Sequence, residues 1–244
     1  AEEIRNKVLV PGGWACHRVY DSDYGLRPAP ETVPCTVDGV ARAWNGSDFG
    51  AILWWTHGWS EGAADVMDLG RVGSLDDEHP GFTFQASCHN GQPEDARNLG
   101  YSLLRNGCIA TVSASRVSWY SRGQDSFAGT STNSGMAFEY SRRLIAEGMY
   151  AGDALNDLRL DTAVGGSDTR WMNYLVFNLY GCPAVGVTTS GQARPPMTVR
   201  TSPASGITGS QAVLNGALVS QGPGSQCRVS FEWGATDKYG SSTP

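Results

Sequence analysis

The apolar residues of this chain fall into short runs separated by amphipathic or polar stretches. Four of these runs are rich in β-branched or aromatic residues and apolar on both faces, which predicts buried strands. They are residues 7–10, 51–56, 82–87 and 108–113. Residues 14–48 contain prolines that interrupt any helix, so a long irregular connection is predicted there.

Helical periodicity appears between and after these runs. One helix is predicted to begin at Pro93 and to end before Gly107, because Pro suits a first helical turn and Gly a helix end. Further helices are predicted at residues 134–149, 153–160 and 171–180. Strands that are apolar on both faces and alternate with helices indicate an α/β fold. Its sheet is expected to be mostly parallel and sandwiched by helices.

The composition changes near Gln192, where a Pro-containing stretch precedes a segment rich in Ser, Thr, Gly and Val. We therefore predict an α/β domain at residues 1–191, a linker at 192–196 and a partial all-β segment at 197–244. Strands are predicted within this segment at residues 210–219 and 227–233. An immunoglobulin-like β-sandwich usually requires about 100 residues, so this segment is predicted to be an incomplete one.

Charge and hydropathy exclude two classes of function. The net charge of -6 and the pI near 5.2, without a cluster of Lys and Arg, argue against nucleic-acid binding. No apolar stretch approaches the roughly 18 residues that span a bilayer, so no transmembrane segment is predicted. The chain begins at Ala1 without Met or a signal segment, so we expect a processed product or an excised part of a longer protein.

The chain contains six cysteines, enough for one or two disulfides in an oxidising compartment. Cys16 and Cys35 flank a loop-like stretch, and their position makes them the favoured pair. Buried thiols are the alternative.

Two of the predicted strands end in a reactive side chain. His57 and Gly58 follow the run at 51–56, and Cys88 follows the run at 82–87. Ligands bind at the carboxyl ends of parallel strands, so the imidazole and the thiol are predicted to lie side by side there. A catalytic thiol requires a base and backbone donors for an oxyanion. His57 would supply the base, and the amides of Gly58 and Cys88 would supply the donors.

Structural roles compete with this interpretation. A cysteine that ends a buried strand commonly acts as a small apolar residue, and a lone histidine as a satisfied polar group. A metal site built from Cys88, His89, His57 and either Cys16 or His17 lacks paired ligand spacing, so no metal is assigned. The acidic turn at residues 75–78 is either a structural calcium site or a solvated turn. The absence of G-x-S-x-G argues against a serine hydrolase.

The same segments resemble the caspase-like (clan CD) cysteine peptidases, and most closely the gingipain family. An apolar run followed by His-Gly, and a second run that ends in small residues and Cys, is similar to the clan's pattern. "ASCHNG" resembles the family's A-C-x-N-G, and "GCIATVSASRVSWY" its next strand and Ser-Trp loop. "FNLYGCP" resembles N-L-Y-G-D-P, with Cys182 in place of Asp. The tail's "VSFEWGATDKYG" resembles bacterial fibronectin type III modules.

The resemblance implies a secreted cysteine endopeptidase, extracellular or at the cell surface, that acts on a protein or peptide and requires no cofactor. Cys88 would be the nucleophile, His57 the general base, and the amides of Gly58 and Cys88 the oxyanion hole. The residues expected to line the substrate pocket are Ser113, Ala114, Ser115 and Trp119. Cleavage after Arg or Lys would require an acid in that pocket, and the candidates on loops are Asp21, Asp23 and Asp125.

Three other functions are compatible with the sequence. A transpeptidase of the same family would form the same acyl-enzyme and resolve it with an amine. A catalytically silent surface or adhesion protein would keep the scaffold without the reaction. A metal-dependent hydrolase would depend on bound zinc.

Overall fold

The structure is a computed structural model that describes residues 1–21, 35–123, 126–161, 172–187, 198–220, 229–236 and 238–243. The chain divides into two compact units, Ala1–Ser190 and Gly191–Pro244. The predicted linker at residues 192–196 lies outside the described residues. Among the described residues, no helix is long and apolar enough to cross a bilayer.

The elements of the first unit alternate between strands and helices. Its strands are β1 (Ala51–Trp55), β2 (Gly58–Trp59), β3 (Gly62–Ala63), β4 (Met67–Asp68), β5 (Gly81–Ala86), β6 (Cys108–Ala114) and β7 (Phe177–Gly181). Its helices are α1 (Glu2–Ile4), α2 (Val37–Asn45), α3 (Leu69–Val72), α4 (Leu99–Arg105), α5 (Asn133–Ser141), α6 (Ala151–Asp161) and α7 (Asn173–Val176). π-Helical turns at Arg5–Leu9 and Arg142–Ala146 continue α1 and α5.

The central sheet has the strand order β1-β5-β6-β7. β1, β5 and β6 run parallel, and β7 is antiparallel to β6. Every residue of β5 is buried, as expected for an inner strand covered on both faces. The prediction of a mostly parallel sheet flanked by helices is therefore confirmed.

Two hydrophobic cores cover the opposite faces of this sheet. In the first core, Phe82 and Phe84 of β5 pack with Met136 and Tyr140 of α5. The second core is formed by residues of α2, β1, β4 and α4, including Trp44, Trp54, Met67, Leu99 and Leu103. Helices therefore lie on both sides of the sheet, and its carboxyl edge is left for loops.

Two apolar runs form different elements from those predicted. Residues 7–10 belong mostly to a helical turn, because Ile4 and Val8 share one helical face and are both buried in the first core. Residues 171–180 were predicted as one helix, but α7 ends at Val176 and the chain continues as β7. The change occurs because β7 pairs with β6, a long-range contact that a short apolar run does not reveal.

One helix was not predicted, and another begins later than predicted. In both, a capping residue explains where the helix begins. α2 lies within the predicted irregular connection, where Thr36 Oγ1 accepts a hydrogen bond from Gly39 N at 3.1 Å. α4 begins at Leu99 rather than at Pro93, because Asn98 Oδ1 accepts from Tyr101 N at 2.8 Å.

The proposed bridge between Cys16 and Cys35 is not formed, since Cys35 is a thiol. Burial, followed by the negative charges of Asp21 and Asp65, raises the pKa of Cys35. This thiol therefore stays protonated at neutral pH and is a poor nucleophile.

The second unit contains two antiparallel pairs within its described residues. β8 (Thr198–Ser205) pairs with β9 (Val213–Ser220), and β10 (Glu232–Trp233) pairs with β11 (Ser241–Ser242). Antiparallel strands agree with the all-β prediction, whereas a fibronectin-like or immunoglobulin-like arrangement stays a prediction.

A largely buried ion-pair network joins α5 to α6. Arg143 Nη1 donates to Glu139 Oε2 at 2.7 Å, and its Nε donates to Asp157 Oδ2 at 2.8 Å. Burial opposes the ionisation of Glu139. Hydrogen bonds from Gly129 N and from the Arg142 and Arg143 guanidinium groups outweigh it, so the pKa of Glu139 is lowered. The network therefore depends on a charged Glu139.

We expect Arg143→Met to lower the free energy of unfolding by about 3–5 kcal/mol, because it leaves the buried Glu139 carboxylate without its buried partner. The matched control is Arg142→Met. Arg142 also pairs with Glu139, but its side chain is 36% exposed against 2% for Arg143. The control should cost less than about 1 kcal/mol. Urea unfolding checks both values, and equal losses would contradict the importance of burial.

We expect Glu139→Gln to destabilise the protein at neutral pH, and the difference from wild type to shrink in acid. A carboxyl group with a lowered folded-state pKa stabilises the fold above its ordinary value of 4.5, and this contribution is lost as the pH falls through the folded value. Urea unfolding between pH 7 and the acid range measures the difference. The surface variant Glu147→Gln is the control. A difference that does not change with pH would contradict the role of the Glu139 charge.

Candidate active site

The parallel pairing of β1 and β5 brings the two predicted catalytic segments to one edge of the sheet. Trp55 is paired with Ala86, and the contact continues past the strand ends, where Thr56 N donates to Ala86 O at 3.3 Å. His57 and Cys88 each follow two residues after this last strand pair. The register therefore places His57 and Cys88 at the same edge of the sheet, at the ends of neighbouring strands.

Gly58 lies directly against the peptide that follows Cys88. A Cβ atom added to Gly58 would lie 2.5 Å from the Cys88 carbonyl oxygen and 2.8 Å from Ser87 Cβ. Any larger residue would separate the two segments, so the close approach requires glycine. This close packing places the His57-Gly58 segment beside Cys88.

Cys88 is partly buried, and its sulfur lies against the backbone of Ser118. Ser118 N donates to Cys88 Sγ at 3.4 Å, Cys88 Sγ donates to Ser118 O at 3.6 Å, and Ser118 Oγ lies 3.8 Å from the sulfur. These contacts fix the position of the sulfur against the Ser118 backbone. His57 is exposed, and its carbonyl accepts from Ala64 N at 2.9 Å. Cys88 is therefore partly sheltered, whereas His57 is exposed to solvent.

A second imidazole, that of His89, follows the thiol directly in sequence and has a side-chain partner of its own. Its backbone has φ 61, its amide donates to Arg116 O at 3.1 Å, and its Nδ1 lies 3.1 Å from Gln92 Oε1. His57 is thus the better candidate for the base. Among the described residues, no group of three or more His, Cys, Asp and Glu side chains could hold a metal ion.

The acidic turn considered for calcium is held together by its own carboxylates. Asp76 Oδ1 accepts from Glu78 N and His79 N, each at 3.2 Å. Asp77 Oδ1 accepts from Gly107 N at 3.0 Å. These contacts are those of a carboxylate-capped turn that joins the start of β5 to the loop before β6.

The predicted pocket residues divide into an interior pair and a surface pair. Ser113 and Ala114 are fully buried within β6, so their side chains are inaccessible to a substrate. Ser115 is partly buried, and its N and Oγ donate to Val176 O at 2.8 and 3.1 Å. Trp119 is 38% exposed and lies one residue after the contact of Cys88 with Ser118. Ser115 and Trp119 are therefore the pocket candidates that a substrate could reach.

Two asparagines that were not predicted from the sequence hold the backbone of Trp119 in place. Asn173 is fully buried; its Oδ1 accepts from Trp119 N at 2.9 Å and its Nδ2 donates to Trp119 O at 2.8 Å. Asn133 N also donates to Trp119 O at 2.8 Å. A signal for Asn173 was available, since a lone amide within an apolar run requires buried partners.

Of the three acids considered for a pocket that accepts Arg or Lys, the structure describes only Asp21. Asp21 lies close enough to Cys35 for its charge to act on that thiol. Asp23 and Asp125 lie outside the described residues.

The fold and the site together define a class of protein. A parallel sheet with a thiol and an imidazole at neighbouring strand ends is an arrangement suited to cysteine peptidase chemistry. The model of peptidase family C25 matches residues 3–188, and the chain belongs to this family, the gingipain family. The resemblance inferred from the sequence is thus confirmed for the α/β part.

Two solved structures are similar to this chain. The Arg-specific cysteine proteinase gingipain R (RgpB) aligns at a TM-score of 0.53 and 16% identity, covering 74% of this chain and 43% of the gingipain chain. A complex of the Porphyromonas gingivalis RgpB pro- and mature domains aligns at 0.49 and 16%, covering 74% and 44%. The aligned region is thus less than half of either gingipain chain. No match was found among curated protein sequences.

We expect Gly58→Ala to lower the free energy of unfolding by about 1–3 kcal/mol, because the new methyl group would overlap the Cys88 carbonyl. Gly73→Ala is the control, since nothing lies within 4 Å of a Cβ at that position. The control should change stability by less than about 0.5 kcal/mol. Urea unfolding measures both, and an unchanged Gly58→Ala variant would contradict the close approach.

Proposed function

We propose that this protein is a cysteine endopeptidase in which Cys88 is the nucleophile and His57 the general base. The observation that carries the proposal is the contact of Gly58 with the Cys88 carbonyl, since it keeps the imidazole-bearing segment beside the thiol. The Ser118 N–H directed at Cys88 Sγ supports it further, because the contact fixes the position of the attacking sulfur.

The reaction would proceed through an acyl-enzyme. His57 takes the Cys88 proton, and the thiolate attacks the peptide carbonyl carbon to form a tetrahedral oxyanion held by the amides of Gly58 and Cys88. The C–N bond then breaks, and the departing amine takes the proton from His57. His57 then takes a proton from a water molecule, which attacks the thioester and breaks the C–S bond. His57 returns this proton to the departing Cys88 thiolate.

The loop that follows β6, around Ser118, is the proposed place for the substrate chain. Val117, Trp119 and Tyr120 are exposed large hydrophobic residues next to Ser118, and Trp59 is another two residues after His57. Exposed aromatic side chains provide contact area for substrate residues on either side of the scissile bond. Ser115 and Trp119 would line the pocket for the residue before that bond.

Cleavage after Arg or Lys is part of the proposal, by analogy with the Arg specificity named for gingipain R. It requires an acid in the pocket, and Asp21, Asp23 and Asp125 are the candidates for that role. We also propose that the enzyme acts outside the cell or at its surface, as the family resemblance implies.

We expect Cys88→Ala to abolish cleavage of fluorogenic peptides under reducing conditions with a chelator present, a fall on the order of 10³-fold or more. The peptide panel should differ only in the residue before the scissile bond, so that the preferred residue identifies the pocket. Cys182→Ala is the matched control, because it removes an exposed thiol and should leave the rate unchanged.

Equal cleavage by wild type and Cys88→Ala would overturn thiol catalysis. Loss of all activity on chelation would favour a metal-dependent hydrolase. A folded wild-type protein that neither cleaves any peptide nor reacts with a thiol-directed inhibitor at Cys88 would favour a binding scaffold. Product analysis with an added amine separates hydrolysis from transpeptidation.

A further inference from the structure

We propose that Asn90 is a positioning residue that sets the place of His57 relative to Cys88. The inference rests on the proposed function, because it concerns how the two members of the proposed dyad are held together. The Asn90 side chain binds backbone carbonyls of the segment that follows His57, so it would act on His57 through that backbone.

Asn90 is fully buried, and its side-chain amide has three hydrogen-bond partners. Nδ2 donates to Trp59 O and to Gly62 O, both at 2.7 Å, and Oδ1 accepts from Ser87 Oγ. A buried primary amide with both N–H groups used is well satisfied, so this contact is specific rather than incidental.

The two carbonyls that Asn90 binds belong to facing residues of the hairpin formed by β2 and β3. Trp59 is paired with Gly62 in that hairpin, which begins directly after His57. Asn90 follows Cys88 by two residues, just as Trp59 follows His57 by two. The amide is therefore a direct polar link between the segment that carries the thiol and the segment that carries the imidazole.

The backbone of Asn90 is anchored independently of the hairpin. Asn90 O accepts from Gly100 N at 2.8 Å in the first turn of α4, and Gly91 N donates to Ala114 O at 2.9 Å at the end of β6. Tyr180 Oη of β7 donates to Gly91 O. The Cys88 side of the link is thus fixed to the sheet and to a helix, and the hairpin is held against it.

The chemistry of the link requires a carboxamide. Two carbonyl oxygens face the Nδ2 group, so Asp would bring a carboxylate oxygen against them, and Ala would leave both without this donor. Ser is too short to reach both carbonyls. Loss of the link removes the two hydrogen bonds that tie the hairpin after His57 to the Cys88 segment, while the anchors of Cys88 remain.

The test is a double-mutant cycle read by alkylation of Cys88 with iodoacetamide between pH 5 and 9. An imidazolium beside the thiol keeps it reactive below its ordinary pKa of about 8.5. We expect His57→Ala and Asn90→Ala each to lower the alkylation rate at pH 6 by about 10-fold, with little change at pH 9. The double variant should match His57→Ala within about twofold, because Asn90 acts through His57.

Asn98→Ala is the structural control. Asn98 is also a buried asparagine, and its Nδ2 donates to two carbonyls, Gln92 O at 3.0 Å and Asp95 O at 2.9 Å, but not to the hairpin. It should lose stability and keep the wild-type pH profile. Asn90→Ser provides a second, less disruptive variant, so the cycle does not depend on the folding of Asn90→Ala.

The outcomes separate this inference from the proposed function. A wild-type pH profile in the Asn90 variants, or an Asn90 effect of equal size in the His57→Ala background, would overturn the positioning role and leave the dyad intact. A wild-type profile for His57→Ala would overturn the dyad, and with it the role of Asn90. The same loss in Asn98→Ala would show a general effect of destabilisation and would also overturn the inference.

Discussion

The parallel pairing of β1 with β5 is the constraint on which the site depends. Its register places Trp55 beside Ala86, so the loops that carry His57 and Cys88 leave the sheet at adjacent positions. Parallel strands are stable only when both faces are covered, and the two hydrophobic cores provide that cover. Burial of the sheet and proximity of the two loops are thus consequences of one arrangement.

Beyond the strand ends, the side-chain amides of buried asparagines bind the backbone of the loops and hold them in place. Asn173 binds both backbone groups of Trp119. Asn90 binds the hairpin that follows His57. A loop has no ladder of its own, so its polar backbone must find partners in side chains, and a buried amide that loses such partners is costly. The loops of the site are therefore held by specific side chains that can be replaced one at a time.

The elements that the sequence predicted well are those whose signal is local. The strands β1, β5 and β6 are short, continuous apolar runs, and their assignment was confirmed. The run at 7–10 was misassigned because its helical partner Ile4 lies outside it. The run at 171–180 was misassigned because pairing with β6 decides where its helix ends. Both errors arise where a distant contact overrides a local pattern.

The sequence by itself determined the class of fold, the family, and the choice of His57 and Cys88, because each strand and the residue that ends it are adjacent in the chain. Only the tertiary structure placed Ser118 against the thiol and buried Ser113 and Ala114 away from any substrate. It alone joined Asn90 to Trp59 and Gly62. These contacts link residues about 30 positions apart in the chain, and strand order and register, which depend on packing of the whole sheet, decide which of them meet.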